Sequence, residues 1–129
     1  MNPKSQSSVE FIILASFMLF VILVFFAIAS SKILDTKDEA NRQIARDIAD
    51  FAYREIEVAK TVNDGYIRRF DMPETVNGIA YTIMIIDDAE LVVNYLDYEY
   101  VKFLPSNVTG VINKGLNTLS KNDGIVYIN

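Results

Sequence analysis

Gln6-Ser7-Ser8-Val9-Glu10-Phe11-Ile12-Ile13-Leu14 opens an uncharged run that continues to Ala29. From Phe11 to Ala29 the run is 19 residues, about 28 Å as a helix at roughly 1.5 Å per residue. That is enough to cross the hydrocarbon core of a bilayer, and Ser16 alone interrupts its apolar character. One acid, Glu10, stands at the mouth of the run. Upstream, Met1-Asn2-Pro3-Lys4-Ser5 is a short polar leader with one basic side chain. Pro3 disfavours helix before it. Ser7 or Ser8 is the expected N-cap, which puts Glu10 in the first turn, where an acid complements the helix dipole.

Downstream of Ser30, Ser31 and Lys32 the helical pattern continues. Ile33, Ala40, Ile44, Ile48, Phe51, Ala52, Ile56 and Ala59 recur at spacings of mostly three and four. Asp38/Arg42, Arg46/Asp50 and Asp50/Arg54 are i,i+4 pairs of opposite charge. The pattern predicts one helix over 8–61, about 80 Å long, with Ser30–Lys32 the place where a bend would fall. A helix that long in a 129-residue chain packs against partners. Asn63-Asp64-Gly65 ends it, since Asn and Gly suit the left-handed position after a helix.

From there the period changes. Met72-Pro73-Glu74 and Asn77-Gly78 mark turns. Ile79–Ile86 is the clearest strand; because it is apolar on both faces, it is expected to be central and covered on both sides. Leu91–Leu96 and Tyr98–Leu104 form a hairpin around Leu96-Asp97, and Asn122-Asp123-Gly124 is a tight turn between the last two strands. The expected fold class is α+β, with an antiparallel β-meander of five or six strands after the helix. The expected divisions are a leader at 1–5, an apolar helix at 6–32, its amphipathic continuation at 33–62 and a β-rich head at 63–129. A head of that size has a marginal core of its own and gains stability by docking against a helix or a neighbouring chain.

Composition narrows function. The net charge is −5, so no nucleic acid is expected as a partner. The chain has no cysteine and no histidine, which removes disulfides, thiol chemistry and the commonest general base. No enzyme activity is expected, with no catalytic, cofactor-binding or metal-ligating set.

Gln6, Ser8, Glu10 and Leu14 fit the pattern Q-x-S-x-E-x-x-x-L. With the apolar run behind it, this resembles the class III signal peptide of archaeal prepilins, the type IV pilin-like proteins. The rest of the chain agrees in layout, a long N-terminal helix and a small β-rich head. The resemblance implies cleavage by a membrane-embedded prepilin peptidase at the Ser5–Gln6 junction, on the cytoplasmic side. Many such leaders carry Gly before the cut, and this one departs with Ser5. It further implies a precursor that crosses the membrane once, leader inside and head outside. Subunits then join through their N-terminal helices, with like or other pilin subunits, into an extracellular filament for adhesion or surface contact. Glu10 would be the fifth mature residue. A neighbour's new α-amine at Gln6 would pair with it and set the axial register, because an unpaired charge is costly in an apolar core.

Two other fates remain open for the run. One is a secretory peptide cut after Ala27-Ile28-Ala29; the other is a permanent single-span anchor on a surface protein that does not polymerise. The distribution of basic residues argues against a cytoplasmic leader. Lys4 precedes the run, whereas Lys32, Lys37, Arg42 and Arg46 follow it. The motif requires the leader inside, and the later cations are interleaved with acids.

The head offers smaller signals. Asn107-Val108-Thr109 is a sequon for N-glycosylation at Asn107. Asp87, Asp88 and Glu90 cluster at a turn, where a solvated turn is the reading preferred over a Ca²⁺ site. Asp97 and Glu99 flank another turn. Tyr95, Tyr98 and Tyr100 read as cross-strand packing, with an adhesive patch as the alternative.

Overall fold

The structure, a computed structural model, describes residues 2–129. The fold is α+β, one helix followed by eight strands. The elements are α1 (Pro3–Thr61), β1 (Ile67–Met72), β2 (Thr75–Val76), β3 (Ile79–Ile86), β4 (Glu90–Tyr95), β5 (Tyr98–Phe103), β6 (Val108–Gly110), β7 (Gly115–Asn122) and β8 (Ile125–Ile128). The chain divides after Asp38 into two compact units, the second being Glu39–Asn129.

The first unit is helix alone. It begins at Pro3, five residues before the expected start. Proline lacks an N–H and has its φ preset for the first helical position, so Pro3 opens the helix instead of delaying it. The Asn2 carbonyl accepts the first bonds, from the amides of Ser5 (2.9 Å) and Gln6 (3.3 Å). Neither Ser7 nor Ser8 is therefore a cap. No acid lies in the first turn, so the dipole argument for Glu10 fails in this chain as it stands.

In the second unit, α1 buries Ala45, Ile48, Ala49, Ala52, Ile56 and Ala59 against the strands. The small alanines allow close approach, and Tyr81, Ile83, Leu91, Val93, Tyr95, Leu119 and Val126 supply the volume opposite. The helix ends as the Asn63–Gly65 signal predicts, with Gly65 at φ +90°. One cap was not foreseen: the Lys121 ammonium donates to the carbonyls of Lys60 (2.6 Å) and Val62 (2.7 Å). A cation there also suits the negative end of the helix.

The strands form two four-stranded sheets, β1-β7-β8-β6 and β2-β3-β4-β5. The count is eight, not five or six. Strands as short as β2 (two residues) and β6 (three residues) show no alternation in a sequence. Nor is the order a simple meander, because β1 pairs with the distant β7 and β6 runs parallel to β8. Gly110 closes that parallel pair at φ +129°, where a Cβ would lie 2.1 Å from the Ile128 carbonyl oxygen.

The turns follow their signals. Asn77-Gly78 and Asp123-Gly124 are two-residue turns with positive φ at both positions, as a type I′ hairpin requires. Strand β3 has the expected bounds but not the expected cover. Its Tyr81 and Ile83 are buried, whereas Ala80, Thr82, Met84 and Ile86 are exposed. Apolar composition on both faces reflects β-propensity on the outer one.

Candidate functional site

The candidate site is the N-terminal part of α1. Residues 6, 10 and 14 are successive i,i+4 neighbours, so Gln6, Glu10 and Leu14 lie along one stripe of the helix. Ser8 falls on the opposite side, and its hydroxyl donates to the Lys4 carbonyl at 3.2 Å. The Ser5–Gln6 junction lies in the first turn of the helix. The amides of Ser5 and Gln6 share the single Asn2 carbonyl, so opening that turn costs few bonds.

Beyond Glu10 the helix is apolar on every side. Every residue from Phe11 to Ile28 is exposed, and Phe11 is 71% exposed. Ser16 donates its hydroxyl to the Ile12 carbonyl at 2.8 Å and so carries no unmet donor. Phe25 and Phe26 meet edge to face, 6.3 Å between ring centres. At about 1.5 kcal/mol or more for each large side chain, leaving this surface in water costs on the order of 20 kcal/mol. α1 is thus long and apolar enough to cross a membrane near its N-terminus, compatible with a single-pass anchor.

The head brings together pairs other than those the helix pattern suggests. Asp50 takes the Lys102 ammonium of β5 at 2.7 Å instead of Arg46 or Arg54, and this contact raises the Lys102 pKa. Arg42 and Arg46 lie over the rings of Tyr98 (5.5 Å) and Tyr100 (5.6 Å). Glu55 holds the guanidinium of Arg68 on β1, which raises the Arg68 pKa. The tyrosine cluster is therefore mostly covered. Tyr95 is buried opposite Tyr98, with its hydroxyl 3.3 Å from the Val76 carbonyl, and Tyr100 opposes Val93.

Of the turn acids, Asp88 fastens two strands. Its carboxylate accepts from the Thr109 hydroxyl (2.9 Å) and the Gly110 amide (3.2 Å), which ties the β3–β4 turn to β6. Among the described residues no group of three acids, histidines or cysteines is arranged to hold a metal. Asn107 is exposed at φ +69° just before β6, with its carbonyl accepting from the Val126 amide at 2.8 Å. The sequon's Thr109 is the residue held by Asp88. Asp97 and Glu99 line a surface hollow of about 400 Å³ together with Arg42, Arg46, Tyr98 and Tyr100.

Set against known protein families, curated proteins and solved structures, the chain matches none.

Sequence reasoning missed Asn117, which is fully buried. Its amide group bonds the Asn113 amide (2.9 Å), the Asn113 carbonyl (2.7 Å) and the Gly115 carbonyl (3.0 Å). The Asn113–Lys114–Gly115 stretch, polar with a glycine, was the available signal that a side chain would be needed to order it.

Proposed function

We propose that this protein is a pilin-like subunit, cut by a prepilin peptidase at the Ser5–Gln6 junction and assembled through its N-terminal helix into a surface filament. The observation that carries the reading is a carboxylate at the mouth of a helix that is apolar and exposed on every side. Such a helix needs apolar surroundings all round, from lipid before assembly and from other helices after it. Cleavage before Gln6 shortens the helix so that Glu10 becomes its fifth residue. The carboxylate then lies close to the new helix start, where the dipole and a neighbouring α-amine both favour it. Gln6, Glu10 and Leu14 share one stripe, so a helix seated there meets the charge and the apolar surface together. The leader lies on the cytoplasmic side, the head outside, and the assembled head serves adhesion or surface contact. On an outward-facing head, exposed Asn107 accepts a glycan.

The anchor that never polymerises uses the same exposed run. The mature N-terminal sequence separates the readings: a start at Gln6 supports the pilin-like subunit, and an intact Met1 supports the anchor. A start at Ser30 would sink both. Glu10→Ala tests the register. Normal filaments from that variant would remove the role given to Glu10.

A further inference from the structure

Three pairs in the head place glycine directly after Asn or Asp: Asp64-Gly65, Asn77-Gly78 and Asp123-Gly124. In such a pair the glycine amide nitrogen can attack the side-chain carbonyl carbon before it, because no Cβ crowds the approach. The fold treats the three pairs differently. The Gly65 amide donates to the Lys121 carbonyl at 2.8 Å. The Gly124 amide donates to the Asp64 carboxylate at 3.1 Å. Among the described residues, no hydrogen bond holds the Gly78 amide or the Asn77 side chain, and both residues are exposed. The strands beside them differ too. Asn77-Gly78 joins β3 to β2, an edge strand that pairs only as Thr75↔Ala80 and Val76↔Ile79. Asp123-Gly124 closes a ladder twice as long, from Asn122↔Ile125 to Leu119↔Ile128. A short edge pairing opens at low local cost.

We infer that Asn77 is a site of slow self-modification, deamidation through a cyclic imide. As the turn opens, hydroxide takes the Gly78 amide proton. The nitrogen bonds to the Asn77 Cγ, the Cγ–Nδ2 bond breaks, and ammonia leaves with a proton returned by water. Water then opens the five-membered imide at one of its two carbonyls. Opening at the side-chain carbonyl leaves aspartate. Opening at the main-chain carbonyl leaves isoaspartate, with the chain running through the former side chain. Either way a neutral amide becomes a carboxylate, and no oxidant or reductant is needed. The two products differ in what they do to the fold. Asp-Gly suits the same two-residue turn, whose φ values are +52° and +74°, so the aspartate form keeps the hairpin. Isoaspartate adds a carbon to the backbone, and a two-residue turn no longer fits. β2 is then released, and the Tyr95 hydroxyl loses the Val76 carbonyl that it bonds at 3.3 Å. The edge of β3 that β2 covers becomes open to another strand. The turn is thus a clock that needs no enzyme and runs whether or not the leader is removed.

The full-length chain, held in detergent and mildly alkaline buffer, reports the site through isoaspartyl methyltransferase labelling mapped to peptides. Asn-Gly and Asp-Gly pairs differ in intrinsic rate, so the same chain unfolded in urea supplies the reference. Label at position 77 relative to positions 64 and 123 should be severalfold higher in the folded chain than in the unfolded one, where all three amides are free. An equal or lower ratio in the folded chain would overturn the assignment. Asn77→Asp should abolish the ammonia released by the folded chain and leave the head's unfolding midpoint where it was. Undiminished ammonia would place the reaction at another amide. Asp64→Ala frees the Gly124 amide and should raise the label at position 123, with position 77 unchanged. No rise would show that hydrogen bonding of the glycine amide does not decide among the three pairs. Protease should cut the isoaspartyl fraction near Thr75–Val76 sooner than the unmodified chain, and equal cutting would overturn the release of β2.

Discussion

Two stretches of one helix meet their surroundings in opposite ways. Residues 11–29 are large and apolar on every side, and none is fully buried. Residues 45–59 present a narrow face of alanines and isoleucines, and that face is fully buried. The difference is one of geometry more than of hydrophobicity. A helix apolar all round needs a partner on each side, which a small head cannot supply. An alanine face needs one partner at close range, and the two sheets supply it. The first stretch is therefore compatible with a membrane span, while the second packs on the chain's own strands.

If the stretches are independent, each can be damaged without the other. The largest expected effect is in the head. Gly110→Ala puts a Cβ against the Ile128 backbone at a φ that side chains avoid. It should cost about 4 kcal/mol or more, read as a fall in the head's unfolding midpoint, with membrane partitioning unchanged. Gly78→Ala is the control. It also has positive φ but meets nothing within 4 Å, so it should cost about 1 kcal/mol. Equal losses from the two would show that the β6–β8 approach is not what Gly110 protects. The next effect is in the helix. Leu19→Arg should weaken membrane insertion by about 3 kcal/mol and leave head unfolding where it was. A shifted unfolding midpoint would mean that the stretches are coupled.

The sequence made the first stretch more legible than the second. An uncharged run declares itself without knowledge of any partner. Helix, helix end and β3 bounds followed from period and turn residues. The helix starts before its apolar period does, because Pro3 is its first residue and not a barrier to it. The pairing of β1 with β7 and of β6 with β8 depends on contacts far apart in sequence, which no local pattern encodes. The same holds for the charges. Asp50 had i,i+4 partners on its own helix and chose Lys102, 52 residues away. Local spacing gives the pairs a helix permits, and the fold decides among them. The candidate site motif at Gln6–Leu14 was readable as spacing, while the fastening of the sequon's Thr109 by Asp88 was not.

The smallest expected effect concerns pH and again belongs to the head alone. Burial, reinforced by the charges of Glu74 and Asp71, pushes the Tyr81 hydroxyl from 10.0 up to about 12. That hydroxyl donates to the Pro73 carbonyl beside β2. Below pH 10 the group is neutral in both folded and unfolded chains, and its contribution is fully present. Between pH 10 and about 12 the unfolded chain ionises first, and stability drains away. Lys102, also raised by its bond to Asp50, loses its contribution as pH rises through its own folded value. Tyr81→Phe should therefore cost about 1 kcal/mol at neutral pH through the lost hydrogen bond and make the alkaline decline shallower without abolishing it. Residues 11–29 contain no titratable side chain, so membrane partitioning of a head-truncated helix should stay flat across the same range. An equally steep decline in Tyr81→Phe would transfer the alkaline sensitivity to Lys102 and leave Tyr81 as packing alone.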